Sequence, residues 1–114
     1  MERALTTSWL SARLGVDPLR LDALRRNGRL LAFREQGSQE YRFPAWQFDA
    51  ELRPLPIVAQ LVSVARERGL GDERLLELLH ARVGIGGSER LADLVGAGDD
   101  EQLLTAVRAA ISNQ

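Results

Sequence analysis

The sequence contains no cysteine and no lysine, and its single histidine is His80. Without cysteine the chain forms no disulfide and offers no thiolate to a metal ion. With one histidine, a histidine-based catalytic triad or a zinc site has no second member of its kind. We therefore expect no catalytic residues, no metal and no cofactor, and we expect that the protein is not an enzyme.

Long hydrophobic runs are also missing, since no apolar stretch approaches the ~20 residues needed to cross a bilayer. The first residues, MERALTTSW, lack the apolar centre of a signal peptide. At 114 residues, with 45% hydrophobic and 27% charged residues, the chain has the composition of a globular domain. We therefore expect a cytoplasmic, nucleoid-associated protein with no membrane partner.

Charge is distributed unevenly along the chain, although the net charge is only -1. Residues 1–54 carry nine arginines against seven acidic residues, whereas residues 55–114 carry six against nine. The N-terminal half is the better anion binder, provided that folding gathers its arginines on one face.

A pair of short helices is predicted for residues 5–28. A first helix capped by Thr6 ends at Gly15, and a second helix capped by Asp17 ends at Gly28. Helical periodicity turns a set of apolar side chains inward, namely Leu10, Leu14, Val16, Leu21 and Leu24.

The outward face of the second helix carries arginines beside small side chains, which suits the major groove of DNA. We expect Arg20 to contact guanine, and Arg25 and Arg26 to contact phosphate. Asp22 would repel phosphate unless it accepts from cytosine or pairs with Arg25 or Arg26. The predicted DNA contacts of this helix and of the following hairpin are Pro18, Leu19, Arg20, Ala23, Arg25, Arg26, Arg29, Arg34, Ser38 and Arg42.

A β-hairpin is predicted next, with one strand on each side of Gly37. The predicted strands are 30–35 and 40–43. An odd loop centred on this glycine would place Phe33 opposite Tyr41 and Leu31 opposite Phe43 on an apolar face. Arg34 would lie opposite Glu40 on a charged face. We therefore predict this register, with a polar tip that reaches phosphate or the minor groove.

Five of the six aromatic side chains fall in the hairpin and the segment after it, namely Phe33, Tyr41, Phe43, Trp46 and Phe48. They would form a stacking surface for single-stranded nucleic acid or cover a core, and we favour the core. We expect Trp46 and Phe48 to fix the end of the hairpin against the next unit.

Four helices are predicted in the C-terminal half. Their expected first residues or caps are Pro56, Asp72, Ser88 and Asp99. The second of them is expected to run to about Val83. The last has Gln102 in a capping-box relation to its cap.

Apolar positions of the helix that begins at Pro56 span an arc of about 160°, wider than one neighbour requires. We therefore expect this helix to contact two partners. One would be a second copy of the chain, reached through Ile57, Leu61 and Val64.

Residues 5–43 resemble the small winged helix-turn-helix domains of the MerR and excisionase type. The matching stretches are LTTSWLSARLGV and DPLRLDALRRNGRLLAFR. With FPAWQF and the Pro-Leu-Pro segment, the chain also resembles short bacterial DNA-binding proteins in which a helical unit follows the winged domain. That unit is similar to the toxin-binding domain of Xre/MbcA/ParS-type antitoxins, and the matching stretch is VGIGGSERLADLVGAGDDEQLLTAVRAA.

This resemblance implies a dimeric DNA-binding regulator, or an antitoxin that also represses its own operon. It implies that a protein toxin, if there is one, contacts Gly86, Gly87 and the C-terminal end. We predict a mainly α fold: a winged helix-turn-helix at 1–48, a linker at 49–56, and a four-helix dimerisation or partner-binding unit at 57–114. The predicted function is sequence-specific binding of double-stranded DNA by a homodimer. An antitoxin and a protein-interaction adaptor are the alternatives.

Overall fold

The computed structural model describes residues 4–35, 37–83 and 89–112. Within these ranges the chain is mainly helical, and no helix there is long and apolar enough to cross a membrane. The α-helices are α1 (Thr7–Leu14), α2 (Pro18–Arg26), α3 (Pro56–Glu67), α4 (Asp72–His80) and α5 (Asp100–Ser112). The strands are β1 (Ala4–Thr6), β2 (Phe33–Arg34), β3 (Tyr41–Pro44), β4 (Arg82–Val83) and β5 (Glu89–Arg90). Two 3₁₀ helices cover Ala45–Gln47 and Leu91–Leu94.

The caps of α1 and α2 are those that the sequence predicts. The Thr6 hydroxyl accepts from the backbone N–H of Trp9, and Gly15 ends α1 in the left-handed conformation, at φ 67°. The Asp17 carboxylate accepts from the backbone N–H of Leu19 at 2.8 Å. These short-range bonds satisfy backbone groups that would otherwise lack partners, so the two predicted helix starts are confirmed.

The three-stranded sheet has the order β1-β3-β2, all antiparallel. Its strand β1 was not predicted, because a three-residue strand directly before a helix leaves almost no periodicity to detect.

The predicted hairpin register is wrong by one residue, since Arg34 lies opposite Tyr41 and Phe33 lies opposite Arg42. The prediction counted Leu31 as a strand residue that had to share an apolar face. In the structure Leu31 precedes β2, and its backbone N–H and C=O pair with the side chain of Gln47 instead. The strand is therefore short, and its register does not have to separate an apolar from a charged face.

Two hydrophobic clusters fill the interior, and the consecutive residues Leu30 and Leu31 belong to different clusters. The N-terminal cluster is formed by the helix pair and the sheet, with buried Leu5, Leu10, Leu21, Leu30, Ala32 and Phe43. Leu31 points into the larger cluster, formed by α3, α4, α5 and the 3₁₀ helix at 91–94. These two consecutive leucines thus anchor the segment before β2 in both clusters.

The segment predicted as a linker, residues 49–56, is tied to the N-terminal elements. Asp49 accepts from the backbone N–H groups of Glu51 and Arg53, both at 2.9 Å, and these bonds lower the pKa of its carboxyl group. The backbone N–H of Leu55 donates to the carbonyl of Gln47 at 2.8 Å. Residues 49–55 therefore form a hydrogen-bonded turn.

The wide apolar arc of α3 is filled by the chain's own core, against α4 and α5. Ile57 and Leu61 are 2% and 0% exposed, so their side chains cannot contact a second copy. That part of the predicted dimer contact is wrong, because both neighbours of the wide apolar face, α4 and α5, belong to the same chain. Val64 is half-buried.

The C-terminal unit contains three α-helices, one 3₁₀ helix and a two-stranded hairpin within its described part, where four helices were predicted. Helix α4 ends at His80 rather than near Val83, because the residues that follow it form β4 and pair with β5. The predicted cap Ser88 lies outside the described residues. The predicted start of α5 is confirmed, since Asp99 accepts from the backbone N–H of Gln102 at 3.0 Å.

Candidate nucleic-acid interface

The outward face of α2 is an exposed ridge of three side chains, Leu19, Ala23 and Arg26. Leu19 is 73% exposed, unusually high for a large apolar residue, and the Arg26 side chain is 64% exposed. Leu19 and Arg26 are seven residues apart, which places them on nearly the same line along a helix. Half-buried Ala23 lies between them and adds little bulk. We call these three residues the α2 ridge.

Asp22 sits beside the α2 ridge and pairs with both arginines that follow it. Its Oδ1 lies 2.6 Å from Nη2 of Arg25, and its Oδ2 lies 2.9 Å from Nε of Arg26. The hydrogen bond from Arg25 is the main cause that lowers the pKa of the Asp22 carboxyl group. The sequence spacing, three and four residues, indicated such pairing, and the structure confirms it.

Arg25 is covered by the sheet and contributes little free charge. Its guanidinium carbon lies 4.2 Å from the ring centroid of Tyr41, and its side chain is 20% exposed. The guanidinium of Arg34 lies 4.9 Å from the same ring. The cation–π contact between Arg25 and Tyr41 thus holds α2 against the hairpin, whereas the contact between Arg34 and Tyr41 lies within the hairpin. The role of Tyr41 was missed because it depends on the true register of β2 and β3.

The tip of the hairpin is closed by its own hydrogen bonds. The backbone N–H of Ser38 donates to the carbonyl of Glu35 at 3.0 Å, and the Ser38 hydroxyl accepts from the N–H of Glu40 at 3.1 Å. Arg42 makes an ion pair with Glu35 at 3.4 Å. Of the predicted wing contacts, Ser38 and Arg42 therefore already have partners within the hairpin.

Arg20 and Arg29 make no ion pair in the part of the chain that the structure describes, and both side chains are exposed. They line a cleft of about 990 Å³ between the C-terminal half of α2 and α3. Arg66 on the opposite wall is engaged, because it pairs with Asp72 at 3.2 Å and donates to the carbonyl of Arg26 at 3.2 Å. The unpaired positive charge of this face is therefore carried by Arg20 and Arg29.

Glu40 fixes the start of α1 to the sheet, a contact that the sequence analysis missed. Its Oε1 accepts from the backbone N–H of Ser8 at 2.8 Å, and this bond lowers the pKa of the Glu40 carboxyl group. The Thr7 hydroxyl donates to the carbonyl of Tyr41 at 3.0 Å. The free amides of the first turn of α1 thus find acceptors in both Thr6 and the sheet.

The predicted toxin contacts Gly86 and Gly87 lie outside the described residues. In the described ranges, no group of three or more histidine or acidic side chains is placed to hold a metal ion. The structure places the predicted DNA contacts in two groups. One group comprises the residues of α2 together with Arg29, and the other comprises the residues of the β2–β3 hairpin.

The fold class is that of a mainly helical chain with a small antiparallel sheet. No protein-family model and no curated protein matches the sequence. The chain is similar to a solved structure described as the NMR structure of Rv2175c, with a TM-score of 0.79 over 95% of this chain and 80% of that one. The sequence identity is 18%, so the similarity concerns the fold alone.

Proposed function

We propose that this protein is a transcriptional regulator that binds double-stranded DNA sequence-specifically, with α1, α2 and the β2–β3 hairpin acting as a winged helix-turn-helix. The observation that carries the proposal is the α2 ridge, an exposed apolar and basic surface flanked by the unpaired Arg20 and Arg29. A single exposed leucine is common on protein surfaces, so the proposal depends on the combination of Leu19 with the exposed arginines of the same helix.

The dimensions of α2 suit the major groove. An α-helix with its side chains is about 10 to 12 Å in diameter, and the major groove of B-DNA is about 12 Å wide. Ala23 at the centre of the ridge permits close approach of the helix to the base edges. Leu19 would then offer an apolar contact to a thymine methyl group.

Phosphate contacts are assigned to arginines that form no ion pair with any residue in 4–35, 37–83 and 89–112. Arg20 and Arg29 lie on the side of α2 that faces α3, where a DNA strand at the edge of the groove would pass. Arg34 and Arg42 would contribute from the hairpin, at the cost of loosening their contacts to Tyr41 and Glu35. Affinity should therefore depend more on Arg20 and Arg29 than on the wing.

A homodimer remains part of the proposal, although it requires a surface other than Ile57 and Leu61. In the described part of the chain, Trp9 and Leu19 are the large exposed hydrophobic side chains. Leu19 belongs to the α2 ridge. The face of α1 around Trp9, which is 44% exposed, is the remaining apolar surface for a second copy.

The proposal is tested by fluorescence anisotropy with a labelled 25-base-pair duplex of random sequence at 50 to 200 mM KCl. Binding should weaken steeply with salt, since each phosphate contact contributes about 0.9 to the slope of log K against log salt. The variant Arg20→Gln/Arg29→Gln should reduce this slope by about 1.8 for each bound protomer, and therefore by about 3.6 for the proposed dimer.

The matched control is Arg68→Gln/Arg108→Gln, which removes the same charge from two exposed arginines. Arg68 directly follows α3, and Arg108 lies on α5. This variant should leave the slope unchanged. Equal slopes for wild type and Arg20→Gln/Arg29→Gln would refute the proposed phosphate contacts. No duplex binding at 50 mM salt, together with a co-purifying small protein, would favour the antitoxin or adaptor alternative.

A further inference from the structure

We propose that Arg26, held in place by Asp22, reads a guanine in the major groove, whereas Arg20 contacts the DNA backbone. This inference rests on the proposed DNA-binding function and specifies its recognition residue. It reverses the roles expected from the sequence, in which Arg20 contacts guanine and Arg26 contacts phosphate.

The position of Arg26 on the helix is the first argument. Arg26 lies on the same line as Leu19, the most exposed apolar side chain of α2, with Ala23 between them. Arg20 is the next residue after Leu19 and is therefore rotated by about 100° around the helix axis. That rotation directs Arg20 towards the cleft with α3, away from the centre of the ridge. A helix that enters the groove along its ridge presents Arg26 to the bases and Arg20 to the groove edge.

The ion pair with Asp22 is the second argument. It engages Arg26 through Nε, at 2.9 Å, so the two Nη groups remain as donors for O6 and N7 of guanine. Asp22 is one turn closer to the N-terminus and draws the guanidinium back over the middle of α2. A guanidinium already held in one orientation loses less conformational entropy on binding than a free one.

The third argument is the support behind Asp22. Its other carboxylate oxygen bonds to Arg25, and Arg25 lies on the ring of Tyr41 in β3. The reading guanidinium is thus connected to the sheet through Arg25 and Asp22. A direct contact from Asp22 to cytosine is disfavoured, because both of its oxygens already accept from arginines.

The test is selection of bound duplexes from a random-sequence library, followed by affinity measurements on the selected site and its single-base variants. Arg26→Lys keeps the charge but loses the planar pair of donors. It should lower discrimination at one G·C pair by about tenfold and leave the other positions and the salt slope unchanged. The comparison variant Arg20→Lys changes a proposed phosphate contact, so it should change the affinity for every duplex by the same factor and leave discrimination at every position unchanged.

The positioning role of Asp22 needs its own readout. Asp22→Asn should relax the same G·C position as Arg26→Lys, and the double variant should relax it no further than Arg26→Lys alone. Because Arg26 is exposed, Arg26→Lys is expected to fold, and circular dichroism checks both variants. Relaxation of an additional position by the double variant would refute the joint action of the pair.

The outcomes separate this inference from the proposed function. If Arg26→Lys selects the wild-type site with undiminished discrimination, or if Arg20→Lys relaxes a position, the assignment of Arg26 is overturned while DNA binding stands. If wild type binds duplex in a salt-dependent way but selects no sequence, the reading role fails and non-specific binding remains. If wild type binds no duplex, both the inference and the proposed function fail.

Discussion

The indole Nε1 of Trp46 donates a hydrogen bond to Nε2 of His80 at 3.0 Å, and the two rings meet edge to face with centroids 5.8 Å apart. Trp46 belongs to the 3₁₀ helix that follows the sheet, and His80 is the last residue of α4. The contact therefore joins the N-terminal elements to the helical unit. It also requires that Nε2 of His80 carries no proton, because indole N–H groups only donate.

Trp46→Phe is expected to destabilise the protein by about 1 to 3 kcal/mol, because it removes this hydrogen bond and part of a packed ring. Urea unfolding followed by far-UV circular dichroism measures the change. Trp9→Phe, measured at protein concentrations at which the chain is monomeric, is the matched control, since Trp9 is exposed and should change stability by about 0.5 kcal/mol or less. Equal losses for the two variants would contradict a linking role for Trp46.

Gln47 is 0% exposed, and its side-chain amide pairs with the backbone of Leu31 as a neighbouring strand would. Its Oε1 accepts from the N–H of Leu31, and its Nε2 donates to the carbonyl of Leu31, both at 2.7 Å. Gln47→Leu should cost about 2 to 5 kcal/mol, because two buried backbone groups lose their partners. Gln60→Leu on the exposed face of α3 controls for the change of residue type. A near-neutral Gln47→Leu in urea unfolding would show that water replaces the amide.

The elements that the sequence predicts correctly are those set by neighbours along the chain. Caps such as Thr6, Asp17 and Asp99 act on amides two or three residues away, so residue type and spacing suffice. The predicted hairpin register fails because it counted Leu31 as a strand residue, whereas the Leu31 backbone pairs with the side chain of Gln47, sixteen positions away. Nothing in the polarity of Gln47 indicates that it is buried.

The same distinction applies to the candidate site. The spacing of Asp22 from the two arginines after it is visible in the sequence, and it indicates the ion pairs. Which arginine is covered and which is exposed depends on Tyr41, and therefore on how the hairpin packs against α2. For this reason the sequence supplies the candidate arginines of α2, whereas their separate roles require the fold.

The hydrogen bond between the Ser8 backbone and the Glu40 carboxylate should make the stability of the folded protein depend on pH in acid. The hydrogen bond from the Ser8 backbone lowers the pKa of Glu40 in the folded protein, so the folded state binds this proton less readily than the unfolded state. The contribution is present above the unfolded pKa of about 4.3 and is lost as pH falls through the lower folded value. Glu40→Gln should therefore lower the melting temperature at pH 7 and flatten its decline below pH 4.

The control for Glu40→Gln is Glu101→Gln. Glu101 lies in the first turn of α5, and Glu40 reaches the first turn of α1 from the hairpin, so both carboxylates lie near a helix N-terminus. Glu101 accepts no hydrogen bond from the part of the chain that the structure describes. Thermal unfolding from pH 2.5 to 7 should thus show the larger change for Glu40→Gln, and identical pH profiles would rule out the capping bond as the cause.

Gly28 packs directly against α3, so a single added methyl group at this position should have a strong effect on stability. Its φ is +78°, and an added Cβ would lie 3.2 Å from both Nη1 of Arg66 and Cγ1 of Val62. Gly15 has a similar φ of +67° with no atom within 4 Å of such a Cβ. Gly15→Ala therefore measures the backbone strain alone, which costs about 1 kcal/mol.

Gly28→Ala should cost more than Gly15→Ala in urea unfolding, because its crowded neighbours have little freedom to move. Val62 is buried in the larger cluster, and Arg66 is held by the carbonyl of Arg26 and by Asp72. The variant Gly28→Ala/Arg66→Ala separates the two contacts. It should recover part of the loss if the guanidinium is the obstacle, and none of it if buried Val62 is. Equal costs for Gly28→Ala and Gly15→Ala would mean that α2 and α3 separate easily, and that the position of α2 is set by the sheet alone.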